Sequence, residues 1–368
     1  MTNRAQILAA GWAAGYGTLA LGWAITGRGF PFGPADERGD LSALRALEPS
    51  AGAPIFAVVL LLAAVALIFT RGSAAPRGPV RYAVLTYLWL VTAALLAVVP
   101  DARLLTIAGY APMLIIGLPF GWPPDVDYST VFTWTVANQA IAAIGGVLIA
   151  RAALTWQRRT RGACETCGRD GTRGGWTSPS SAARWGRIAV WIAAAIPAMY
   201  AVVRLAWAAG IPLGISGEFL EEMQREGITV AAAGLGGFAL AGAILTLGLT
   251  QRWGEVFPRW MIGLSGRRVP IRLATIPASI VAVLVASASI SLYTGEGSED
   301  LLSNGLATAP ALLWPLWSAA LAAATYAYHL RRRPRCEQCH RPAPLTVVRD
   351  TKEQAPAGLV RESGARAY

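Results

Sequence analysis

The sequence predicts an all-α membrane protein of eight transmembrane helices. They form two parallel four-helix repeats, with a re-entrant or interfacial element near residues 104–122. Three observations carry this. Of the 368 residues, 54% are hydrophobic and only 14% charged, against roughly 25% charged in an average soluble domain. Eight apolar stretches reach the length of about 20 residues that a helix needs to cross about 30 Å of hydrocarbon. The basic residues also collect in alternate loops. This composition excludes an ordinary soluble domain, and its hydrophobicity excludes intrinsic disorder. The net charge of +11 does not mark a nucleic-acid binder, because so apolar a chain cannot keep a wet basic surface around its core.

The eight expected spans are Ala5–Ile25, Ala53–Thr70, Tyr82–Pro100, Thr130–Ala150, Ile188–Ala209, Ile228–Thr250, Leu273–Tyr293 and Thr308–Leu330. Arg204, in the fifth, is the only charged residue among them. The first is too long for a signal-peptide core and lacks a clean small-residue cleavage site. Leu104–Trp122 is also apolar and uncharged, but Gly109, Pro112, Gly117, Pro119 and Gly121 suit a continuous helix poorly. A ninth crossing would also put the later basic loops on the wrong side. The element is therefore read as re-entrant or interfacial on the outer face.

Sidedness follows from charge. The N-terminus with segments 71–81, 151–187, 251–272 and 331–368 holds 26 basic residues and 7 acids, and the rest of the chain holds 6 and 14. Lys and Arg in short loops stay cytoplasmic, so both termini are expected inside a cell membrane.

The halves read as copies. QRRTRGACETCGR (157–169) and HLRRRPRCEQCHR (329–341) each follow the last span of a half. LGWAITGRGFPFG (21–33) pairs with LAWAAGIPLG (205–214), and GPVRY (78–82) with VPIRL (269–273). The expected divisions are a first repeat over 1–170, a linker at 171–184, a second repeat over 185–341 and a disordered tail over 342–368. An even number of spans per repeat gives both the same orientation. A further pattern, Gly–apolar–Pro–apolar–Gly, recurs at 29–33, 117–121 and 210–214. It suits helix exits at the interface, or the lining of an outward-facing cavity.

All four cysteines fall in two CxxC pairs, Cys164/Cys167 and Cys336/Cys339. In a reducing cytoplasm structural disulfides are not expected. Two such pairs supply the tetrahedral thiolate set of a structural zinc, which would join the halves. Gly168 lets the chain turn beneath a metal, His340 could replace one sulfur, and Arg161, Arg335 and Arg341 favour thiolates. Cys336–His340 also reads CxxCH, the pattern for c-type haem, but the basic flank places it on the wrong side and the sister pair lacks the His. A redox dithiol and unliganded thiols stay as alternatives.

Within the spans, Arg204 is costly in lipid, and either snorkels or serves a ligand or ion-pair site. Its nearest acids in the chain are Glu218, Glu221 and Glu222, on a short amphipathic helix, so these four residues are a candidate outer-vestibule site. Asn138 and Gln139 suit hydrogen bonds between helices. Pro197, Pro277 and Pro315 can kink their helices, Gly234, Gly237 and Gly242 allow close packing, and the seventh-span serines can bond back to the backbone. No HExxH, GxSxG or P-loop is present, so no catalytic residue is assigned.

GIPLGISGEFL (210–220) and LTLGLTQRWGEVFPRW (245–260) with RRVP (267–270) resemble multi-pass membrane proteins of high-GC actinobacteria. The resemblance implies a membrane fold and carries no activity. Three functions fit. The first is a transporter or permease-like protein for a small solute. The second is a non-catalytic sensor, anchor or regulatory partner that uses the zinc module to bind a cytoplasmic protein, and the third a membrane enzyme. The lipid bilayer is a partner in every case.

Overall fold

The computed structural model describes residues 2–72, 78–117, 119, 131–169, 175–294, 309–334 and 336–339, and among these the regular structure is helical, with no strand. The helices are α1 (Thr2–Thr26), α2 (Pro49–Phe69), α3 (Pro79–Ala93, continued by a π turn at Ala94–Val98), α4 (Ala102–Gly117) and α5 (Trp134–Thr160). They continue with α6 (Pro179–Ala208), α7 (Gly217–Arg225), α8 (Ile228–Gly248), α9 (Ile271–Thr294) and α10 (Trp314–Arg332). Their starts follow ordinary capping chemistry. Thr133, Ser178 and Ser216 each accept a hydrogen bond from a first-turn N–H, and Pro49, Pro79 and Pro179 lie where no N–H is needed.

Six helices are long and apolar enough to cross a membrane: α2, α3 with its π turn, α5, α6, α8 and α9. Only 17–50% of the most apolar window of each is buried inside the protein. Ile55, Val58, Leu62 and Val65 on α2, with Leu273, Ile276 and Ile280 on α9, stay exposed. Water would penalise such faces, whereas lipid matches them. The protein is a membrane protein on these grounds. α1 overlies the first expected span and α10 most of the eighth, but neither is among the six.

Several local expectations change. The helix of the fifth expected span, α6, begins at Pro179, well before Ile188, because Ser178 caps a leading turn that hydropathy alone overlooks. α4 runs unbroken through Gly109 and Pro112, and its 16 residues span about 24 Å, short of the hydrocarbon thickness. Pro315 lies in the first turn of α10 rather than inside it, where it does not kink a helix. Close approach between α6 and α8 occurs at Gly236, where an added Cβ would lie 3.1 Å from the Arg204 Cβ. Gly237 and Gly242 face open space.

Packing repeats between the halves. In the first half α1 packs on α2 and α5, and α3 packs on α5. In the second α6 packs on α8 and α10, and α9 packs on α10. Buried positions also correspond. Ile149, Ala152, Ala153 and Trp156 on α5 match buried Leu321, Ala324, Thr325 and Tyr328 on α10, at the separation of the cysteine pairs. Ala9, Ala10, Ala13 and Trp23 on α1 match buried Ala193, Ala194, Pro197 and Trp207 on α6, at another constant interval. The halves meet where α9 packs on α4 and the π turn.

The bundle has a basic end, carrying the cysteines, and an acidic end. At the acidic end Gly29, Gly33, Gly210 and Gly214 all take positive φ, the backbone geometry that lets α1 and α6 turn out of their helices. The copy at 117–121 lies largely outside the described residues, as does the tail from 342. At the basic end the loop after α8 folds back on itself through a Val256–Arg268 bridge and presents Trp260 and Ile262 at its exposed tip.

Candidate metal centre and polar sites

Each CxxC follows directly on a helix. α5 ends in Arg158, Arg159 and Thr160, and the chain then doubles back so that the Gly168 N–H donates to the Cys164 carbonyl at 2.7 Å. Gly168 makes this turn at φ +72°, as the sequence anticipates. α10 ends in Arg331 and Arg332 and delivers Cys336 and Cys339 to the same place.

The four sulfurs lie within 4.8 Å of one another. Cys164 Sγ is 3.8 Å from Cys336 Sγ, and Cys167 Sγ is 3.6 Å from Cys339 Sγ. These separations are far longer than a disulfide, and all four cysteines are free. They match the edge of about 3.8 Å in a tetrahedron whose metal–sulfur bonds are about 2.3 Å. The contacts join counterparts: Cys164 with Cys336, Cys167 with Cys339, and Thr166, whose hydroxyl donates to Gln338 Oε1 between them. All three pairs are 172 residues apart, as expected across a local twofold axis.

Guanidinium groups hold the backbone of both knuckles. Arg158 donates to the carbonyls of Glu165 and Thr166 at 3.1 and 3.0 Å. Arg333 donates to the Cys167 carbonyl at 3.1 Å, and Arg169 to the Pro334 carbonyl at 3.1 Å, so each half reaches into the other's knuckle. Backbone N–H groups of Cys339 and Gln338 hold the Cys336 thiol down to about 6, while burial pushes Cys167 up to about 12. A divalent ion would displace the protons from such a cluster, and four thiolates around it leave a net −2 that the arginines offset. The donor set therefore fits a structural metal. Arg335, His340 and Arg341 lie outside the described residues.

A second arginine relation repeats between the halves. Arg159 donates to the carbonyl of Thr70, which caps α2, and Arg331 donates to the carbonyl of Leu249, which caps α8. The two arginines stand at the separation of the cysteine pairs. Nothing of this could be read from composition, though the Arg clusters beside each CxxC were its trace.

The acidic end holds a buried ion network that the sequence does not announce. Arg103 binds Asp101 through Nε, at 3.0 Å to each carboxylate oxygen, and its Nη1 and Nη2 reach Asp36 at 3.0 and 2.5 Å. Gln139 Nε2 donates to Asp101 Oδ2 at 2.6 Å. Asp101 is 1% exposed and Gln139 fully buried. Ser291 on α9 accepts from the Ala102 N–H at 3.1 Å, so the network sits at the seam between the halves. Asn138 accepts a hydrogen bond from the Tyr16 hydroxyl at 2.8 Å, the contact between helices expected of it.

Arg204 behaves differently. Its guanidinium lies over the Trp207 ring at 4.3 Å and the Tyr200 ring at 5.0 Å, and its buried Nε has no hydrogen-bond partner among the described residues. Glu218, Glu221 and Glu222 are exposed and form no ion pair with it. α7 turns Leu220 and Met223 inward against Val203 and Trp207, which leaves its acids on the opposite face. The proximity expected from chain distance is thus undone by the helix's own apolar stripe. Ser287, Ser289 and Ser291 are buried and bond back to carbonyls of their own helix.

Compared with known proteins, the chain matches no protein family, no curated protein and no solved structure.

Proposed function

We propose that this is a multi-pass plasma-membrane protein of eight spans with both termini cytoplasmic. In this reading two four-helix repeats are held together by one structural zinc at Cys164, Cys167, Cys336 and Cys339, and the protein acts as a non-catalytic anchor or regulatory partner. The observation that carries it is the cross-pairing of sulfurs at 3.8 and 3.6 Å between counterpart cysteines of the two halves. Repeated packing and the paired Arg159 and Arg331 contacts support the duplication. Four soft sulfur donors in a tetrahedral set favour zinc among abundant metals. The Arg-rich face around the clamp is its docking surface for a cytoplasmic protein.

A transporter is the second reading. Arg204, without a counter-ion among the described residues, and the Asp36–Arg103–Asp101 network favour it. A metal and interlocked arginines at one end oppose the rocking of one repeat against the other that alternating access requires, so the anchor reading ranks first.

Oxidation of the full chain in membranes tests the clamp. With zinc bound, mild oxidant should leave the cysteines intact. After chelation it should link Cys164 to Cys336 and Cys167 to Cys339, as peptide mapping would reveal. Identical disulfides with and without zinc would contradict the clamp. Photo-crosslinking from position 161 in cells tests the docking role: a discrete protein adduct lost in Cys164→Ser supports it, and no adduct contradicts it.

A further inference from the structure

A groove of about 370 Å³ runs along the outside of the first half between α3 and α5 at the basic end. Tyr82, Leu85, Thr86, Trp89 and Leu90 of α3 form its long wall, at the three- and four-residue spacing of one helix face. From Arg81 to Trp89 the helix rises about 12 Å. Gln157 on α5 closes the far side and accepts from the Trp89 indole N–H at 3.3 Å. Both helices are among those able to cross a membrane, so this groove opens onto lipid.

Its mouth is cationic. Arg81 is 8% exposed, donates from Nε to Thr160 Oγ1 at 2.8 Å, and lies over the Tyr82 ring at 5.2 Å. Its Nη2 is buried and has no acceptor among the described residues. Arg161, exposed, stands at the same mouth. Neither has an acidic partner among the described residues. A guanidinium held at the membrane boundary with an unused donor edge is poorly compensated by protein alone. Two guanidiniums below an apolar wall complement a phosphate carrying an acyl chain.

We propose that this groove binds one anionic phospholipid from the leaflet on the basic side. The headgroup phosphate lies between Arg81 and Arg161, and an acyl chain lies along Leu85, Trp89 and Leu90. The site rests on the membrane reading but on neither the zinc clamp nor the anchor function. The second half does not repeat it, since the position of Arg81 in the VPIRL segment is taken by Arg272, which is exposed.

Native mass spectrometry of the full chain, released from nanodiscs of equal phosphatidylglycerol and phosphatidylcholine, reads the site directly. Wild type should retain one phosphatidylglycerol in preference to phosphatidylcholine. Arg81→Gln and Arg161→Gln should each cut that retention about fivefold, as expected for one basic residue at the surface. Arg71→Gln, an exposed arginine of the same end, should change nothing. Arg81→Gln also loses the Thr160 bond and can fail to fold, so Arg161→Gln decides alone. Equal retention of both lipids, or unchanged retention in Arg161→Gln, would overturn the proposal. Arginine-dependent binding of inorganic phosphate without lipid enrichment would overturn it too.

Discussion

At the acidic end of the first half, Trp23, Phe30, Phe32 and Phe56 stack edge to face or in parallel, and Arg103 is fixed between two carboxylates. At the same end of the second half, Arg204 lies between two aromatic rings and pairs with no carboxylate among the described residues. The difference extends inward. One continuous hydrophobic cluster runs from Ala9 to Ala153 in the first half, whereas the second half is divided into four small clusters. At the basic end the contrast fades, since the cysteine pairs, Arg159 with Arg331, and the buried positions of α5 and α10 correspond. The two halves are alike where both contribute to one shared centre. They differ where each faces its own surroundings.

The strongest way to break this comparison is at the shared centre. Cys336→Ser should lower bound zinc from about one ion per chain to background, because a thiolate site missing one ligand loses most of a binding energy on the order of 10 kcal/mol. Metal analysis of the purified protein checks this, and Cys164→Ser should give the same result if the halves are equivalent partners. Next comes the ion network of the first half. Arg103→Met should destabilise the fold by about 3–5 kcal/mol, since it leaves Asp101 buried without its counter-charge. Thermal unfolding in a fixed detergent would measure it.

Close helix contacts provide a matched pair of intermediate effects. A Cβ at Gly145 on α5 would lie 2.1 Å from the Trp12 ring on α1, and one at Gly186 on α6 would lie 2.4 Å from the Ala327 Cβ on α10. Gly145→Ala and Gly186→Ala should each cost about 1–3 kcal/mol by overpacking equivalent helix pairs. A large effect in only one half would break the equivalence. The smallest effect is expected at Arg204. Arg204→Leu should change stability by no more than about 1 kcal/mol, because it removes a charge that has no ionic partner to strand. A loss as large as that of Arg103→Met would show a counter-charge at Arg204 and erase the contrast.

The sequence made the basic end readable because its signals are local. Two CxxC pairs beside Arg runs need only four positions each to declare a shared chemistry, and Gly168 declares its turn. Helix positions were also readable, since hydrophobic length is a property of one segment. The acidic network was hidden because Asp36 and Gln139 lie far along the chain from Asp101 and Arg103, and VPDARL reads as an ordinary charged loop. Only the fold brings them together, through the π turn of α3 and the start of α4. Glu218, Glu221 and Glu222 form no ion pair with Arg204 for the opposite reason. Closeness along the chain was taken for closeness in space, while the stripe of Leu220 and Met223 had already decided which face of α7 points outward.

Zinc K-edge absorption on the purified full chain tests the central claim most directly. The account predicts one zinc per chain with four sulfur neighbours at about 2.3 Å, and no nitrogen or oxygen in the inner shell. A shell of two sulfurs with lighter atoms, or metal bound well below one ion per chain, would contradict it.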